Sequence, residues 1–544
     1  MSKNTVKTID LSKMTREELE AYAMRVTSEK EELSAKVSWL EEQYKLGRAR
    51  RFGPSSEQTP FDQLTFFNEA EQETDGKILQ EPALSELKIK SKKKKGHKDR
   101  ITKSLPTTVI EYTLTAEERI CSKCGSELSE MKTEIRREFK VIPAQVQITE
   151  HVQHVYVCRT CDKEGIDSNI VRAAMPKPVL RNSLASPSMI AHIMTRKYVD
   201  ATPLSRQEQQ FKKYGLQISR QTLANWMIKA AEHHLKPMYD LMHQKLVSKE
   251  ILFADETTCE VLHEPGREAT TDSYMWLYRT GADTVPIVLY DYKPGRSGDY
   301  AVTFLKGFKG YLHSDGYAGY HKLSNPKADG MVDVVQCGCW AHARRKWDEA
   351  LKGAGNPSGL NSSNIQIGLD YCNELFRFER EFKEFSPQQR HLSRMEKSKP
   401  VVEAYFAWLK SIADKTAPKS LLGMAVKYSL NQEKYLINYL LDGRLEISNN
   451  RSERSIKPFV IGRKNFLFFN TPKGADSSAV IYSIVETAKE NNLNPFPYLE
   501  YLFEKLPNIN KDNLVALAEL LPWSESIPKH CRNLEPVSDD VDAN

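Results

Sequence analysis

The chain has 544 residues, of which 40% are hydrophobic and 28% are charged, and its formal net charge is +6 at pH 7. At roughly 150 residues per domain, this length predicts three or four domains. No apolar run reaches about 18 residues, which excludes a membrane span, and the N-terminus lacks the apolar core of a secretory signal. We therefore expect a cytoplasmic protein with no membrane partner, and its nine cysteines are too few for a disulfide scaffold.

The first segment, residues 1–58, is predicted to be helical. Its apolar side chains recur every seven positions, at Leu19, Val26, Leu33 and Leu40. A heptad repeat with Glu and Lys between the apolar positions indicates a short N-terminal coiled-coil helix. The alternative is a single amphipathic helix that lies on the protein's own core.

Residues 59–106 follow as a polar segment with few apolar side chains. From Lys88 to Lys103 it contains nine basic residues against one acid, Asp99. This composition predicts a disordered basic linker. Such a linker either contacts DNA phosphates without reading sequence or is simply solvated.

Two CxxC pairs, Cys121/Cys124 and Cys158/Cys161, lie within residues 107–180. Each pair places two thiolates at a tight turn, and the segment between the pairs alternates apolar and polar residues as strands do. We predict a zinc ribbon in which the four thiolates bind one structural Zn²⁺ ion, because four protein ligands leave no position for a substrate. Free cysteines paired by chance are the alternative.

Residues 181–245 have the pattern of consecutive helices. One helix begins near Pro203 and ends at Gly215, and the next begins at Ser219, which can serve as an N-cap. Helix, short glycine turn and helix form the helix-turn-helix pattern, although a plain helical hairpin fits the same residues. In a helix-turn-helix, the side chains expected to enter a DNA groove are Arg220, Gln221 and Asn225.

Strand patterns dominate residues 246–353. The predicted strands are 250–255, 273–280, 284–292, 310–315 and 331–338, and the predicted helices include 297–308 and 339–353. The order β-β-β-α-β-α-β-α predicts a mixed α/β sheet with helices on its faces, which is the order of the ribonuclease-H-like fold. Apolar helical spacing across 354–445 predicts an α-helical insertion. Residues 446–490 would then continue the core, and 491–544 would form a helical tail.

Two of these predicted strands end in aspartates, Asp255 and Asp315. An acid at the carboxyl end of a buried strand is costly unless something uses it, and open α/β sheets form their sites at that edge. If the first and fourth strands are neighbours, the two carboxylates converge. Converging carboxylates hold divalent cations, and Mg²⁺ prefers carboxylate oxygens, water and phosphate.

A third acid is expected from a helix beside these strands, and Glu453 is the candidate. It follows Ser448 and Asn449, either of which can cap a short helix, and Arg454 and Lys457 lie beside it. A carboxylate in so basic a segment suggests a metal ligand among phosphate-binding cations. The alternative is an internal salt bridge on an exposed helix.

Other polar residues in these segments are weaker candidates. Glu446 and Asp442 are rival third acids, but neither lies in the cationic helix. Glu256 should point to the opposite face of its strand from Asp255, so we expect it to support the site or to lie on the surface. A histidine on a helix beside a core is usually structural, which is our expectation for His342. The residues predicted to be core thiols are Cys337 and Cys339.

Matching motifs run along nearly the whole chain. They are RRFGPSSE, the CxxC pairs, KYVDATPLSRQEQQFKKYGLQISRQTLANW, FADETT, SDGYAGY, GCWAHARRKW, NNRSERSIKPFVIGRKNFLFF and IYSIVETAKENNLNPFPYLEYL. With these motifs in this order, the chain resembles the transposases of the insertion-sequence 66 family. The resemblance implies a DDE transposase whose triad falls on Asp255, Asp315 and Glu453. The family pattern has an acid before the NN dipeptide, where this chain has Ser448.

The implied activity is Mg²⁺-dependent cleavage at transposon ends, followed by transfer of the freed 3′-hydroxyl into target DNA. Two Mg²⁺ ions, about 3.5–4 Å apart, would bracket the scissile phosphate, with Mn²⁺ as an alternative ion. The residues expected to contact DNA outside the helix-turn-helix are Arg344, Arg345, Arg454, Lys457, Arg463 and Lys464.

The implied partners are double-stranded DNA, both as terminal inverted repeats and as target, and a second copy of the chain in at least a dimer on DNA. Small accessory proteins of the same element are further candidates, and the expected location is the nucleoid. Two other functions fit the same residues. One is a zinc-ribbon, helix-turn-helix DNA-binding protein with an inactive nuclease fold, and the other is a structure-specific nuclease that cuts without joining.

Overall fold

The structure, a computed structural model, describes residues 15–52, 145–157, 170–324, 333–354 and 360–533. These residues form a small two-stranded unit and a large α/β unit. Among the helices in these ranges, none combines the length and the apolar character needed to pass through a membrane.

Helix α1 (Arg16–Phe52) belongs to the large unit. Near its C-terminal end, Leu46 is buried in the same hydrophobic cluster as Trp347, and the Glu42 carboxylate accepts the Leu421 N–H at 3.1 Å. This end therefore lies on the protein's own core, which was the alternative to a coiled coil. The heptad side chains upstream are exposed, namely Leu19, Val26, Leu33 and Leu40. A coiled coil along that seam stays a prediction.

The small unit contains β1 (Val155–Val157) and β2 (Ile170–Arg172), which pair antiparallel. The Gln153 amide extends the pairing by donating to the Ala173 carbonyl at 2.7 Å. β1 lies in the segment between the two cysteine pairs, where the sequence predicts strands, whereas β2 lies after the second pair. The predicted zinc ligands Cys121, Cys124, Cys158 and Cys161 lie outside the described residues, as does the linker at 59–106.

In the described residues, four helices lie between α1 and the sheet of the large unit. They are α2 (Pro187–Tyr198), α3 (Leu204–Lys213), α4 (Arg220–Ala230) and α5 (Lys236–Val247), with a π-helical turn, Ala231–Leu235, between the last two. The predicted turn is present between α3 and α4. Gly215 adopts φ +84°, a left-handed conformation that favours glycine, and the Ser219 side chain accepts the Thr222 N–H as an N-cap.

A six-stranded mixed sheet forms the centre of the large unit. Its strands are β3 (Ile251–Val261), β4 (Ser273–Thr280), β5 (Val288–Lys293), β6 (Gly310–His313), β7 (Val334–Cys337) and β8 (Phe468–Phe469). The order is β5-β4-β3-β6-β7, and β8 pairs with the end of β3. β3, β4 and β5 run antiparallel, whereas β6 and β7 are parallel to β3. The mixed sheet is as the sequence predicts, and its first and fourth predicted strands are neighbours, which is the condition for the two aspartates to converge.

Helices follow in the order that the sequence predicts. They are α6 (Gly298–Phe304), α7 (Trp340–Ala354), α8 (Leu360–Glu381), α9 (Pro387–Ser393), α10 (Lys399–Ala413), α11 (Leu421–Leu436), α12 (Asn450–Phe466), α13 (Pro472–Glu490), α14 (Pro495–Lys505) and α15 (Leu514–Ala518). Helices α8 to α11 occupy the stretch predicted as a helical insertion. Apolar side chains of α8, α10 and α11 bury Trp340 and Trp347 of α7 in one cluster, so the insertion is fixed to the helix that follows the sheet.

Helix α13 covers the β5 edge of the sheet. An edge strand leaves backbone groups without strand partners, which is a liability unless something satisfies them. Here the Ser483 hydroxyl accepts the Tyr290 N–H at 2.8 Å, and the Thr487 hydroxyl accepts the Val288 N–H at 3.0 Å. The small hydroxyl residues of α13 let the helix approach closely and complete the edge.

Candidate functional site

Two of the predicted acids lie at the same end of the parallel strand pair β3–β6. In this pair Phe253 is registered with His313, and Asp255 and Asp315 each follow two residues later. Strand β3 continues to Val261, beyond the predicted end at Asp255, because β4 remains paired with it as far as Cys259. The parallel pairing has already ended there, and the two carboxylates share one edge.

The loop that carries Asp315 is held by hydrogen bonds on both sides. Its Oδ1 accepts the Tyr317 N–H at 2.9 Å, and its carbonyl accepts the hydroxyl of Tyr428, on α11, at 3.1 Å. Between them Gly316 adopts φ +91°, which makes the sharp turn after β6 possible. The helical insertion therefore contributes directly to the position of this acid.

Asn449 brings the third acid to this edge. Its side-chain amide donates to the Ala254 carbonyl at 3.0 Å, next to Asp255, and its N–H donates to Cys339 Sγ at 3.1 Å. Asn449 occupies the N-cap position of α12, as one of the two predicted candidates, but its side chain makes no cap hydrogen bond, and with 17 residues α12 is not the short helix that the sequence predicts. Glu453 accordingly lies in the first turn of α12.

Electrostatics show that the three acids lie close together. Burial raises the pKa of Asp255 well above its usual range, and the charges of Glu453 and Asp315 raise it further. Burial also raises the pKa of Glu453 to about 7, with Asp315 adding to the shift and Arg345 opposing it. Repulsion among buried carboxylates is what a divalent cation relieves, so the arrangement fits a site for such ions.

Glu453 has two partners on α7 besides the acids. Its carboxylate lies 3.7 Å from the Arg345 guanidinium and 3.7 Å from His342 Nδ1. Both distances exceed a hydrogen bond, and Glu453 Oε1 is buried with no hydrogen-bond partner. Burial lowers the pKa of His342 to about 4, so the imidazole is neutral at pH 7. His342 thus faces the acid, whereas we expected a purely structural residue.

Arg279 is a supporting residue that the sequence did not reveal. It lies on β4 with its side chain 2% exposed and pairs with both carboxylate oxygens of Glu490 at 3.1 Å. Its guanidinium also donates to the Ser455 hydroxyl and to the Arg451 carbonyl, both on α12. One buried cation therefore ties the helix of the third acid to the sheet.

Glu256 supports the site, as one of its two predicted roles requires. Its side chain is 1% exposed and accepts the Tyr320 hydroxyl at 2.5 Å and the Arg296 guanidinium at 2.6 Å. These contacts hold the segment that follows Asp315. The rival third acids are paired elsewhere, Glu446 with Arg451 and Asp442 with Arg444.

The residues predicted to contact DNA fall into two groups. The exposed ones are Arg220, Gln221 and Asn225 on α4 and Arg454 and Lys464 on α12, while Lys457 is half-buried. The others have partners inside the protein. Arg344 donates to the Asn373 side chain at 2.8 Å, Arg345 faces Glu453, and Arg463 donates to the Thr257 hydroxyl at 3.1 Å and to the Thr258 carbonyl. Arg463 thus fixes α12 to the end of β3.

Family models match most of the chain. The model described as the transposase IS66 family matches residues 182–477, and that of the zinc-finger binding domain of transposase IS66 matches residues 118–162. The IS66 C-terminal element matches residues 483–523, and a model described as transposase C of IS166 homeodomain matches residues 39–110. All four predicted zinc cysteines lie within residues 118–162, which supports Zn²⁺ as a ligand.

Curated relatives come from Sinorhizobium fredii, and each bears the description of an uncharacterized protein. The protein y4jD is 29% identical over 430 residues, covering 78% of this chain and 81% of the relative. The protein y4qI is 32% identical over 363 residues, or 65% of each chain. The protein y4hP is 28% identical over 415 residues, or 74% of this chain and 73% of the relative.

Proposed function

Because the chain belongs to the IS66 transposase family, we propose that it is a DNA transposase that cuts the ends of its element and joins the freed 3′-hydroxyls to target DNA. The observation that carries this proposal is the convergence of Asp255, Asp315 and Glu453 at one edge of the sheet. The three come from segments far apart in sequence. Besides burial, the charges of Glu453 and Asp315 raise the pKa of Asp255, and the charge of Asp315 also raises the pKa of Glu453.

The donor set fits Mg²⁺. It consists of carboxylate oxygens, the ligands that this ion prefers, and Glu453 Oε1 has no hydrogen bond to give up on binding. Asp255, Asp315 and Glu453 would hold two Mg²⁺ ions, or Mn²⁺ in their place. Bound ions supply Lewis-acid chemistry at a phosphate, which explains how the reaction proceeds without a protein nucleophile.

The surrounding residues would position and balance these acids. Arg345 lies beside Glu453 with its side chain 38% exposed, so its guanidinium can face a DNA phosphate as well as the acid. Asn449 and Arg279 fix α12 against the sheet, and Glu256 fixes the segment after Asp315. Catalysis by positioned groups depends on such supports, because a shift of about 1 Å can cost roughly 100-fold in rate.

We also propose that the mixed sheet is a ribonuclease-H-like catalytic core. Three antiparallel strands followed by two parallel ones, in the order β5-β4-β3-β6-β7, support this assignment. The active acids would come from the central strand, from its parallel neighbour and from the helix after the insertion. The four cysteines would bind one structural Zn²⁺ ion in a zinc ribbon.

DNA would be bound by cations and polar residues of α4, α7 and α12. We assign groove contacts to Arg220, Gln221 and Asn225, and phosphate contacts to the exposed Arg454 and Lys464 and to the half-buried Arg344, Arg345, Lys457 and Arg463. Two element ends must meet during transposition, so the active form would be at least a dimer on DNA, with accessory proteins of the element as further partners. We expect the protein in the cytoplasm at the nucleoid.

The test is cleavage and joining by the purified chain on labelled DNA that carries the ends of its element. We expect Mg²⁺-dependent 3′-end cleavage and strand transfer, and Asp255→Asn should lower both by on the order of 10²–10³-fold, as removal of one preorganised electrostatic group does. DNA affinity, measured by fluorescence anisotropy, should stay within about twofold of the parent chain. Glu446→Gln, which removes an acid paired with Arg451, is the matched control and should remain active.

Two outcomes would contradict the proposal. A chain that binds element ends but never cuts or joins them with Mg²⁺ or Mn²⁺ would be a DNA-binding protein with an inactive nuclease fold. A chain that cuts branched or unrelated DNA without joining would be a structure-specific nuclease.

A further inference from the structure

A second constellation of metal-ligating side chains lies beside the acids. Cys339 Sγ, a ring nitrogen of His342 and a carboxylate oxygen of Glu453 all lie within 4.8 Å of one another. Cys339 and His342 are three residues apart at the start of α7, so one helical turn presents both towards the first turn of α12. Mg²⁺ binding by the three acids leaves the sulfur and the imidazole unused.

Two polar atoms in this constellation are unsatisfied. His342 Nδ1 and Glu453 Oε1 are buried, face each other at 3.7 Å and have no hydrogen-bond partner. A buried polar atom left without a partner destabilises the folded chain. Their common neighbour is a sulfur, so the three groups surround a space that one cation would satisfy.

The sulfur is held in place by backbone amides. The Asn449 N–H lies 3.1 Å from Cys339 Sγ, and the amides of Ala341 and His342 also point at it. Backbone donors at a helix N-terminus favour negative charge on the atom that they surround, but burial has the larger effect and raises the pKa of the Cys339 thiol to about 12. Cys339 is therefore a buried thiol, as the sequence predicts, whose sulfur is oriented by backbone amides and would lose its proton on binding a metal ion.

Ligand chemistry decides which ion such a set prefers. Sulfur, imidazole nitrogen and carboxylate oxygen together are typical of Zn²⁺, whereas Mg²⁺ takes oxygen ligands almost exclusively. Ligand atoms around tetrahedral Zn²⁺ lie about 3.5 Å apart, so the three side chains need to close by only about 1 Å.

We propose that Cys339, His342 and Glu453 form a binding site for one Zn²⁺ ion, separate from the zinc site of the four paired cysteines. Glu453 is shared between this site and the acid site. A carboxylate that binds Zn²⁺ there is withdrawn from the Mg²⁺ ions, so zinc should inhibit cleavage. The inhibition rests on the proposed function, whereas the binding of the ion does not.

Metal titration tests the binding. The full chain is loaded with one equivalent of Zn²⁺ for the paired cysteines and then titrated with Co²⁺, a probe whose bond to a thiolate gives a charge-transfer absorption band. We expect a charge-transfer band that is complete at one further equivalent of bound Co²⁺ and that Cys339→Ser abolishes, because Co²⁺ bound only to carboxylates gives no such band. Cys337→Ser is the matched control, since Cys337 is also buried and only two residues away, and it should keep the band.

A second variant shows whether the loss of Co²⁺ binding results from the loss of a ligand or from misfolding. His342→Gln should weaken Co²⁺ binding at least about tenfold, the lower end for loss of a group that supports a metal site, and circular dichroism should confirm its fold. A band that persists unchanged in Cys339→Ser, or a total of one metal ion per chain, would overturn the proposal.

Inhibition separates this proposal from the proposed function. Zn²⁺ should inhibit Mg²⁺-dependent cleavage by the parent chain and by Cys337→Ser, and Cys339→Ser should need at least about tenfold more Zn²⁺ for the same inhibition. Asp255→Asn should lose cleavage yet keep the Co²⁺ band, which supports the zinc site independently of activity. If the band depends on Cys339 but Zn²⁺ does not inhibit, the zinc site stands and the assignment of Glu453 to Mg²⁺ fails.

Discussion

The acid site and the exposed face of α4 hold their polar residues in opposite ways. Around Glu453 several side chains, such as Asn449 and Arg279, are buried and fixed by partners that lie more than a hundred residues away. On α4, by contrast, Arg220, Gln221 and Asn225 are exposed. Function at the first region should therefore depend on position and local electrostatics, and function at the second on surface charge and shape.

The largest effect should come from the buried cation that joins α12 to the sheet. Arg279→Met removes the pairing with Glu490 and the hydrogen bonds to Ser455 and Arg451. Breaking a buried pair by removing one partner typically costs about 3–5 kcal/mol. Because the remaining partner, Glu490, is 37% exposed and can be solvated, we expect the lower end of this range, a loss of about 3 kcal/mol in the free energy of unfolding. Urea denaturation followed by tryptophan fluorescence measures it.

The control for this variant is an exposed pair of the same type. Arg377→Met removes a cation that pairs with Glu374 on the surface of α8, and its loss of stability should be much smaller than that of Arg279→Met because an exposed ion pair is screened by solvent. Equal losses in the two variants would show that the Arg279 network does not stabilise the site.

Arg279 also shows where prediction from the sequence ends. Strand β4 coincides with the predicted 273–280, because a run of aromatic and β-branched residues specifies a strand locally. Nothing local indicates that the arginine in this run is buried, since its partner Glu490 lies 211 residues away. The two residues of β8 are likewise too short for any periodic pattern.

The acids themselves could be predicted because their signal is local. A carboxylate after a buried strand, or within a cationic segment, is unusual in its own neighbourhood. Their supports could not be predicted in the same way, because an asparagine before a helix is the ordinary cap residue. Asn449 instead donates to a carbonyl 195 residues away, which only the folded chain reveals.

Asn449 offers the next test, which asks how far cleavage depends on the position of α12 relative to Asp255. Asn449→Ala removes the hydrogen bond to Ala254 and should let the first turn of α12 shift from Asp255. Loss of a group that orients a metal ligand typically costs 10–100-fold, so cleavage should fall by about that factor in a chain that remains folded. The fall in rate is measured as steady-state cleavage across a range of Mg²⁺ concentrations. We also expect Asn449→Ala to need more Mg²⁺ than the parent chain to reach its half-maximal rate.

Asn465→Ala is the matched control, because Asn465 is exposed near the other end of the same helix. Its cleavage rate should equal that of the parent chain. An unchanged rate in Asn449→Ala would mean that Arg279 and Arg463 alone are sufficient to position α12.

A smaller effect is expected from pH. Burial raises the pKa of Glu453 to about 7 from an ordinary 4.5, so between these values the folded chain binds more protons than the unfolded chain. Stability of the Mg²⁺-free protein should then fall as pH rises, by about 1 kcal/mol between pH 6 and pH 8. Urea denaturation at the two pH values measures it, and Mg²⁺ should stabilise the chain more at pH 8.

Glu453→Gln has no carboxyl group to titrate and should lose this part of the pH dependence. Some dependence should remain, because the pKa of Asp255 is also raised by burial and by its neighbours. If Glu453→Gln and the parent chain lose equal stability between pH 6 and pH 8, Glu453 does not titrate in this range and its burial is unimportant.

The smallest effect should come from the exposed face of α4, where no internal contact is lost. Arg220→Ala removes one exposed cation and should weaken DNA binding by about 0.2–1 kcal/mol, the range of exposed ion pairs, with a salt slope reduced by about 1. Lys419→Ala, in the helical insertion, removes the same charge and is the matched control. Net charge changes equally in both variants, so a difference in DNA affinity or salt slope between them must result from where the charge lies. Equal salt slopes would show that α4 does not contact DNA. Helices α3 and α4 would then form a plain helical hairpin.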